Sequence, residues 1–164
     1  MKTRTLQWTL AAALAAPLMA WAAPGHEGHG DHAGHGAGHA TTAGRPGDPA
    51  KVSRTVDVQM DDSMRFTPAQ VEVKAGETIR FLVVNKGKLP HEMVIGSMKE
   101  LDEHAEMMRK MPDMKHTEPN QVNLAPGKRG AIVWTFDKPG TFAFACLIPG
   151  HKEAGMVGQL SVQP

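Results

Sequence analysis

The sequence predicts an all-β chain: a Greek-key β-sandwich with one short helical, methionine-rich insertion, preceded by a disordered histidine-rich tail. Three observations predict it. Short runs alternate apolar with polar residues, turn signals punctuate those runs, and one stretch breaks the alternation with helical composition. At 164 residues, 41% of them apolar, the chain supports a single domain plus a tail.

The first element is a targeting segment. "MKTRTLQWTLAAALAAPLMAWAA" sets Lys2 and Arg4 before an apolar run and ends on the small-residue pattern Ala20-Trp21-Ala22. Residues 1–22 therefore read as a secretory signal peptide cut after Ala22. The apolar run from Leu6 to Met19 is shorter than the roughly 20 residues that span a bilayer. No twin-arginine pair is present, which points to general secretion. The expected location is the periplasm, with no membrane insertion after cleavage.

Residues 23–50 form the tail. From Pro24 to Lys51 there is no Val, Leu, Ile, Met or aromatic residue, so burial cannot offset chain entropy and disorder is expected. His26, His29, His32 and His35 recur every third residue, and His39 follows. In a flexible glycine-rich chain these imidazoles can wrap one metal ion, with copper, nickel and zinc all open. Affinity falls as pH drops through the histidine pKa, because only neutral imidazole ligates.

Residues 51–164 are the expected domain. "VSRTVDVQM" and "QVEVKA" alternate, "TIRFLVVN" is more continuously apolar, and "GAIVWTF", "GTFAFA" and "MVGQLSV" follow. Ala75-Gly76, Pro126-Gly127 and Pro139-Gly140 supply turns. About seven short strands in this span predict an antiparallel Greek-key sandwich. Within it, "SMKELDEHAEMMRKM" opens with Ser97 and Glu100 at capping-box spacing, which predicts a helix from Met98 to Met111. Leu101, Ala105 and Met108 would face the sandwich, leaving His104, Met107 and Met111 on an adjacent stripe.

The chemistry concentrates in "CLIPGHKEAGM". Cys146, the one cysteine of the chain, is followed by His151 and Met156 in a C-x4-H-x4-M pattern, and "LPHEMVIG" supplies His91. A lone thiol cannot form an internal disulfide, and in an oxidising compartment metal ligation would protect it. A thiolate and two imidazoles with a remote thioether make the ligand set of a copper electron-transfer centre. Cys and His also suit tetrahedral zinc, but the thioether favours copper. Pro149-Gly150 and Gly155 supply the bends that fold such a loop back on itself.

"MRFTPAQVEVKAGETIRFLVVNKGKLPHEMVIG" together with "PGTFAFACLIPGHKEAGMVGQLSV" resembles the cupredoxins, the plastocyanin and azurin family of copper proteins. The resemblance covers most of residues 51–164. It implies a β-sandwich with a type 1 copper held at one end by His91, Cys146, His151 and Met156, with His91 on a separate strand. The histidine tail and the methionine-rich insertion depart from small electron carriers and resemble the periplasmic copper-tolerance cupredoxins of the CopI type.

Soft thioethers prefer Cu(I), so a second, cuprous site is expected from His104, Met107 and Met111 with Met98, Met114 and His116, against the alternative of ordinary amphipathic packing. For Met60, Met64 and Met93 packing is the expectation. Removing Lys2 and Arg4 leaves 16 basic against 17 acidic residues with no basic stripe, which excludes a nucleic-acid role. A binuclear electron-transfer site would need a second cysteine. A multicopper oxidase would need H-x-H pairs that the domain lacks. The expectation is a non-enzymatic monomer that binds and redox-cycles copper in tolerance, with copper ions, a redox partner and a copper exporter or oxidase as partners. The alternative is a dedicated single-electron carrier between redox proteins.

Overall fold

The computed structural model describes residues 40–111 and 117–164. Ten strands lie among these residues: β1 (Arg45–Pro46), β2 (Arg54–Asp61), β3 (Arg65–Thr67), β4 (Gln70–Lys74), β5 (Thr78–Asn85), β6 (His91–Gly96), β7 (Gln121–Leu124), β8 (Arg129–Thr135), β9 (Gly140–Ala145) and β10 (Val157–Gln163). They form two five-stranded sheets, ordered β1-β8-β5-β2-β3 and β4-β10-β9-β6-β7. The alternating runs bury one face each: Val58 and Met60 of β2, Val71 and Val73 of β4, and Phe81 and Val83 of β5 point into the space between the sheets. Phe66 meets Phe144 edge-on there, with ring centroids 4.9 Å apart.

The expected sandwich is present, but it is not wholly antiparallel. β2 runs parallel to β5 and β4 runs parallel to β10. Side-chain alternation has the same period of two in either direction, so the sequence carries no mark of the difference. β1, β3 and β7 span two to four residues each, too few for alternation to register.

β6 and the second half of β9 are buried on both faces. The reason is α1 (Met98–Lys110), which lies on the outer face of the second sheet. Its Leu101 and Ala105 pack with Val94 of β6, Ala143 and Ala145 of β9, and Leu147. Inward, Met93, Ile95, Phe142 and Phe144 join the sandwich core. The capping box is formed at Ser97 and Glu100, and Met111 caps the other end rather than continuing the helix. Met108 is partly buried, as are His104 and Met107, while Met98 and Met111 are 44% and 40% exposed. Met60 and Met93 are fully buried, and Met64 packs against the same core.

The domain begins earlier than composition suggested. Ala43 is buried, Arg45 and Pro46 pair with Thr135 and Trp134 of β8, and Gly47 N–H donates to Val133 O (2.9 Å). Backbone pairing holds this stretch, so its lack of apolar side chains is no sign of disorder. The expected signal segment 1–22, the tail histidines His26, His29, His32, His35 and His39, and Met114 and His116 lie outside the described residues. No helix among the described residues is long and apolar enough to cross a membrane.

Glu100 joins this early segment to α1. Its carboxylate accepts the Thr42 N–H (2.9 Å) and hydroxyl (2.7 Å), and the Ser97 N–H and hydroxyl (2.8 Å each). Burial works against ionisation, but the bonds from Ser97 and Thr42 outweigh it and hold the carboxyl below its ordinary value of 4.5. A depressed carboxylate contributes stability that is complete above its unfolded pKa and is lost as pH falls through the lower folded value. Acidification below about pH 4 is therefore expected to lower the protection of the Thr42 and Ser97 amides, read as exchange relative to the intrinsic rate at each pH, and Glu100→Gln should lower it already at neutral pH. Protection at Thr42 that stays flat from neutral pH into acid would refute the anchor.

Candidate metal centre

The chain end of β5 prepares the site. Asn85, fully buried, donates through its amide to Leu89 O (2.8 Å) and Leu124 O (3.0 Å) and accepts from Gly87 N–H (2.8 Å). These bonds shape residues 86–90, which deliver His91 to the start of β6. His91 as a whole is 1% exposed, and its side chain not at all. Its Nε2 lies 3.1 Å from Asp62 Oδ1, and its Nδ1 is buried with no hydrogen-bond partner. Asp62 is held below the usual carboxylate range, first by the Lys88 N–H, with Leu89 and His91 adding to it against burial.

Cys146 closes β9 from the other side. Its thiol is fully buried, with Glu92 N–H at 3.5 Å and His151 Nδ1 at 3.3 Å from Sγ. Burial pushes the thiol up to about 12, although the backbone N–H groups of Glu92 and Ile148 pull the other way. Glu92, itself buried, accepts Leu147 N–H at Oε1 (2.8 Å) and so ties the start of the loop to β6.

The loop from Leu147 to Gly155 is a chain of backbone turns. His151 N–H donates to Ile148 O (3.0 Å), Ala154 N–H to Gly150 O (3.0 Å) and Met156 N–H to His151 O (3.0 Å). Gly150 and Gly155 take φ of 90° and 100°, a region that side chains other than glycine adopt at a cost, as the predicted bends require. Cys146 N–H then donates to Met156 O (3.1 Å), which closes the loop. Met156 is fully buried in the sandwich core directly below it. Arg65 braces the far side by donating to Ala154 O (2.8 Å), and α1 is joined to the loop by Arg109 with Glu153 (3.1 Å) and Lys152 with Asp102.

The result is a cluster in which Cys146 Sγ and one ring nitrogen each of His91 and His151 lie within 4.8 Å of one another. The two rings stand 5.0 Å apart. His151 is half-buried, and burial first, then the neighbouring His91, pushes its imidazole below the ordinary 6.5, so it is neutral at pH 7. A buried imidazole lone pair without a donor, beside a thiol and a neutral imidazole, is a donor set suited to a soft or borderline metal ion. The structure thus brings together three of the four predicted ligands and seats Met156 beside them through the backbone. His104 and Met107 stand on α1 and Met111 at its C-terminal cap, and His104 is not among the clustered residues. Asn85, Asp62, Glu92 and Arg65 were not anticipated from the sequence. The one signal available was a polar Asn closing the apolar run "TIRFLVVN".

The family model described as copper binding proteins of the plastocyanin/azurin family matches residues 52–163. The chain is similar to a copper-resistant cuproprotein CopI of Rubrivivax gelatinosus, 49% identical over 99% of this chain and 100% of that one. It is also similar to a copper-resistant cuproprotein CopI of Pseudomonas aeruginosa, 40% identical over 77% of this chain and 85% of the relative. Among solved structures, a dithionite-reduced auracyanin of Roseiflexus castenholzii superposes with a TM-score of 0.60 at 24% identity, covering 69% of this chain and 99% of the auracyanin, a likeness of fold.

Because the metal-free thiol is protonated at neutral pH, loading the cluster is expected to release about one proton per metal ion. Apparent affinity should rise about tenfold per unit between about pH 7 and 9. Calorimetry in buffers of different ionisation enthalpy counts the proton, and its persistence in Cys146→Ala would assign it to another group.

Proposed function

The chain belongs to the plastocyanin/azurin family of copper-binding proteins, and from that premise we propose that it serves copper tolerance in the periplasm as an exported, non-enzymatic monomer. Copper is its cofactor. In this reading His91, Cys146, His151 and Met156 would hold a type 1 copper, the thioether being the weakest donor of the four. The observation that carries it is the convergence of Cys146 Sγ with ring nitrogens of His91 and His151 within 4.8 Å, the His91 Nδ1 being buried and unpartnered. Bound copper supplies one-electron exchange between Cu(II) and Cu(I).

The residues do the rest. Asn85 and the closed loop hold the donors in place, so that little need move when the charge changes. The buried thiol and the buried His91 ring exclude water. His151, the half-exposed ligand, is the edge that a redox partner, a copper exporter or an oxidase would meet.

Tolerance is favoured over a dedicated single-electron carrier by the length of the CopI likeness, which at 99% of the chain takes in the tail as well as the sandwich. The signal-like segment supports export. In this reading the tail histidines His26, His29, His32, His35 and His39 gather further copper, and His104, Met107 and Met111 with Met98, Met114 and His116 offer softer donors for Cu(I).

Cys146→Ser is expected to lose the thiolate-to-copper visible absorption while the metal-free sandwich stays folded, at a cost of about 1–3 kcal/mol for a buried hydroxyl. A variant that kept the band would place the sulfur ligand elsewhere.

Copper content separates the two functions. The mature chain should bind more than one copper, and removal of residues 23–39, which spares the segment paired to β8, should lower the number without changing the visible spectrum. One copper in both forms would favour the electron carrier.

A further inference from the structure

A single carboxylate governs how His91 reaches the cluster. Asp62 lies in the turn between β2 and β3, and it grips the loop that leads to His91. Its Oδ2 accepts Lys88 N–H (2.8 Å) and its Oδ1 accepts Leu89 N–H (3.2 Å). The same Oδ1 stands 3.1 Å from His91 Nε2. Gly87 makes the close approach available, since a methyl group at that position would overlap the carboxylate. The Asp62 side chain is 36% exposed, whereas the His91 ring is wholly shielded.

An ionised carboxylate only accepts hydrogen bonds, so its pairing with Nε2 requires the proton to sit on Nε2. Nδ1 then keeps its lone pair, and Nδ1 is the ring nitrogen that is buried with no partner. A neutral acceptor, such as a backbone carbonyl, would select the same tautomer. A carboxylate does more, because its charge polarises the ring and raises the basicity of the nitrogen opposite.

We propose that Asp62 is a positioning residue of the copper centre, which sets the Nε2–H tautomer of His91 and, as an anion behind the ring, biases the site toward Cu(II) over Cu(I). The inference rests on the ligand set proposed above. It makes Asp62 the point at which an exposed turn of one sheet acts on a ligand carried by the other.

The test uses the full mature protein. Asp62→Asn keeps an oxygen that can accept from Nε2–H and removes the charge. Its ratio of Cu(II) to Cu(I) affinity should fall about tenfold, a rise of about 59 mV in reduction potential, with the visible band retained. Asp62→Ala removes the acceptor as well. Nitrogen-15 spectra of the metal-free variant should show His91 as a mixture of tautomers, and copper affinity should fall about 10–100-fold. Asp61→Asn is the control, since that neighbouring carboxylate turns instead to Ser63, and it should match the parent.

A parental potential in Asp62→Asn overturns the proposal, as does a parental tautomer in Asp62→Ala. Should the alanine variant not fold, the potential of the asparagine variant decides alone. The tautomer is read without metal, so it stands apart from the ligand set: a parent protein lacking the thiolate band would sink that set, whereas an intact band with unmoved potential would sink only the role of Asp62.

Discussion

The hydrogen bond from Cys146 N–H to Met156 O is the contact on which the site's architecture hangs. It continues the antiparallel pairing of β9 with β10 one step past Val157 and Ala145, and so converts nine residues of loop into a closed ring of set circumference. Inside that ring the turns at Gly150 and Gly155 have little freedom, and His151 must stand above the thiol. A loop of this length left open would sample many conformations, and a metal would have to order it at a cost of roughly 1–2 kcal/mol per residue. Closed in advance, the loop asks much less of the metal.

The opposing imidazole is held by different means. His91 comes from β6, and the only backbone pairing of β6 with β9 lies further along, at Val94 with Ala145 and beyond. At the site end, buried polar side chains replace the missing ladder: Glu92 reaches across to Leu147 N–H, Glu92 N–H points at Cys146 Sγ, and Asn85 ties residues 87 and 89 to Leu124. Such groups are costly to bury unless each finds partners, and their bonds are strong in a dry setting. The helix contributes from outside. By covering Val94, Ala143, Ala145 and Leu147, α1 makes β6 and β9 interior strands and removes water from the back of the sheet that carries His91 and Cys146.

The legibility of this arrangement in the sequence follows its physics. Alternation announced β2 and β4, because each has one wet face. The C-x4-H-x4-M spacing announced the loop, because its candidate donors are local in sequence. Direction of pairing was not legible, nor was the docking of residues 41–47, which depends on backbone bonds to β8 and on the close approach that Gly44 and Gly47 allow. Asp62 and Glu92 were hidden for a related reason. Acidic residues are common on surfaces, and only the folded chain shows that one sits 3.1 Å from the His91 ring and the other is buried beside the thiol.

The two groups of candidate copper donors on this chain sit in opposite surroundings. A centre that exchanges electrons must resist change in its donors, which agrees with a buried thiol, a ring with no exposure and a loop closed at both ends. The proposed cuprous donors would have to let the ion enter and leave, which agrees with thioethers at Met98 and Met111 that are two-fifths exposed at the two ends of α1. Amphipathicity lets one helix satisfy both needs. Leu101 and Ala105 seal the sheet behind Cys146, and the stripe of His104, Met107 and Met111 stays off that buried face. The ion pairs of Asp102 and Arg109 with Lys152 and Glu153 are exposed, so each contributes little to stability, yet together they join the helix to the residues that follow His151. The insertion is therefore packed as part of the wall of the metal centre, and the thioethers it carries reach solvent without opening that wall.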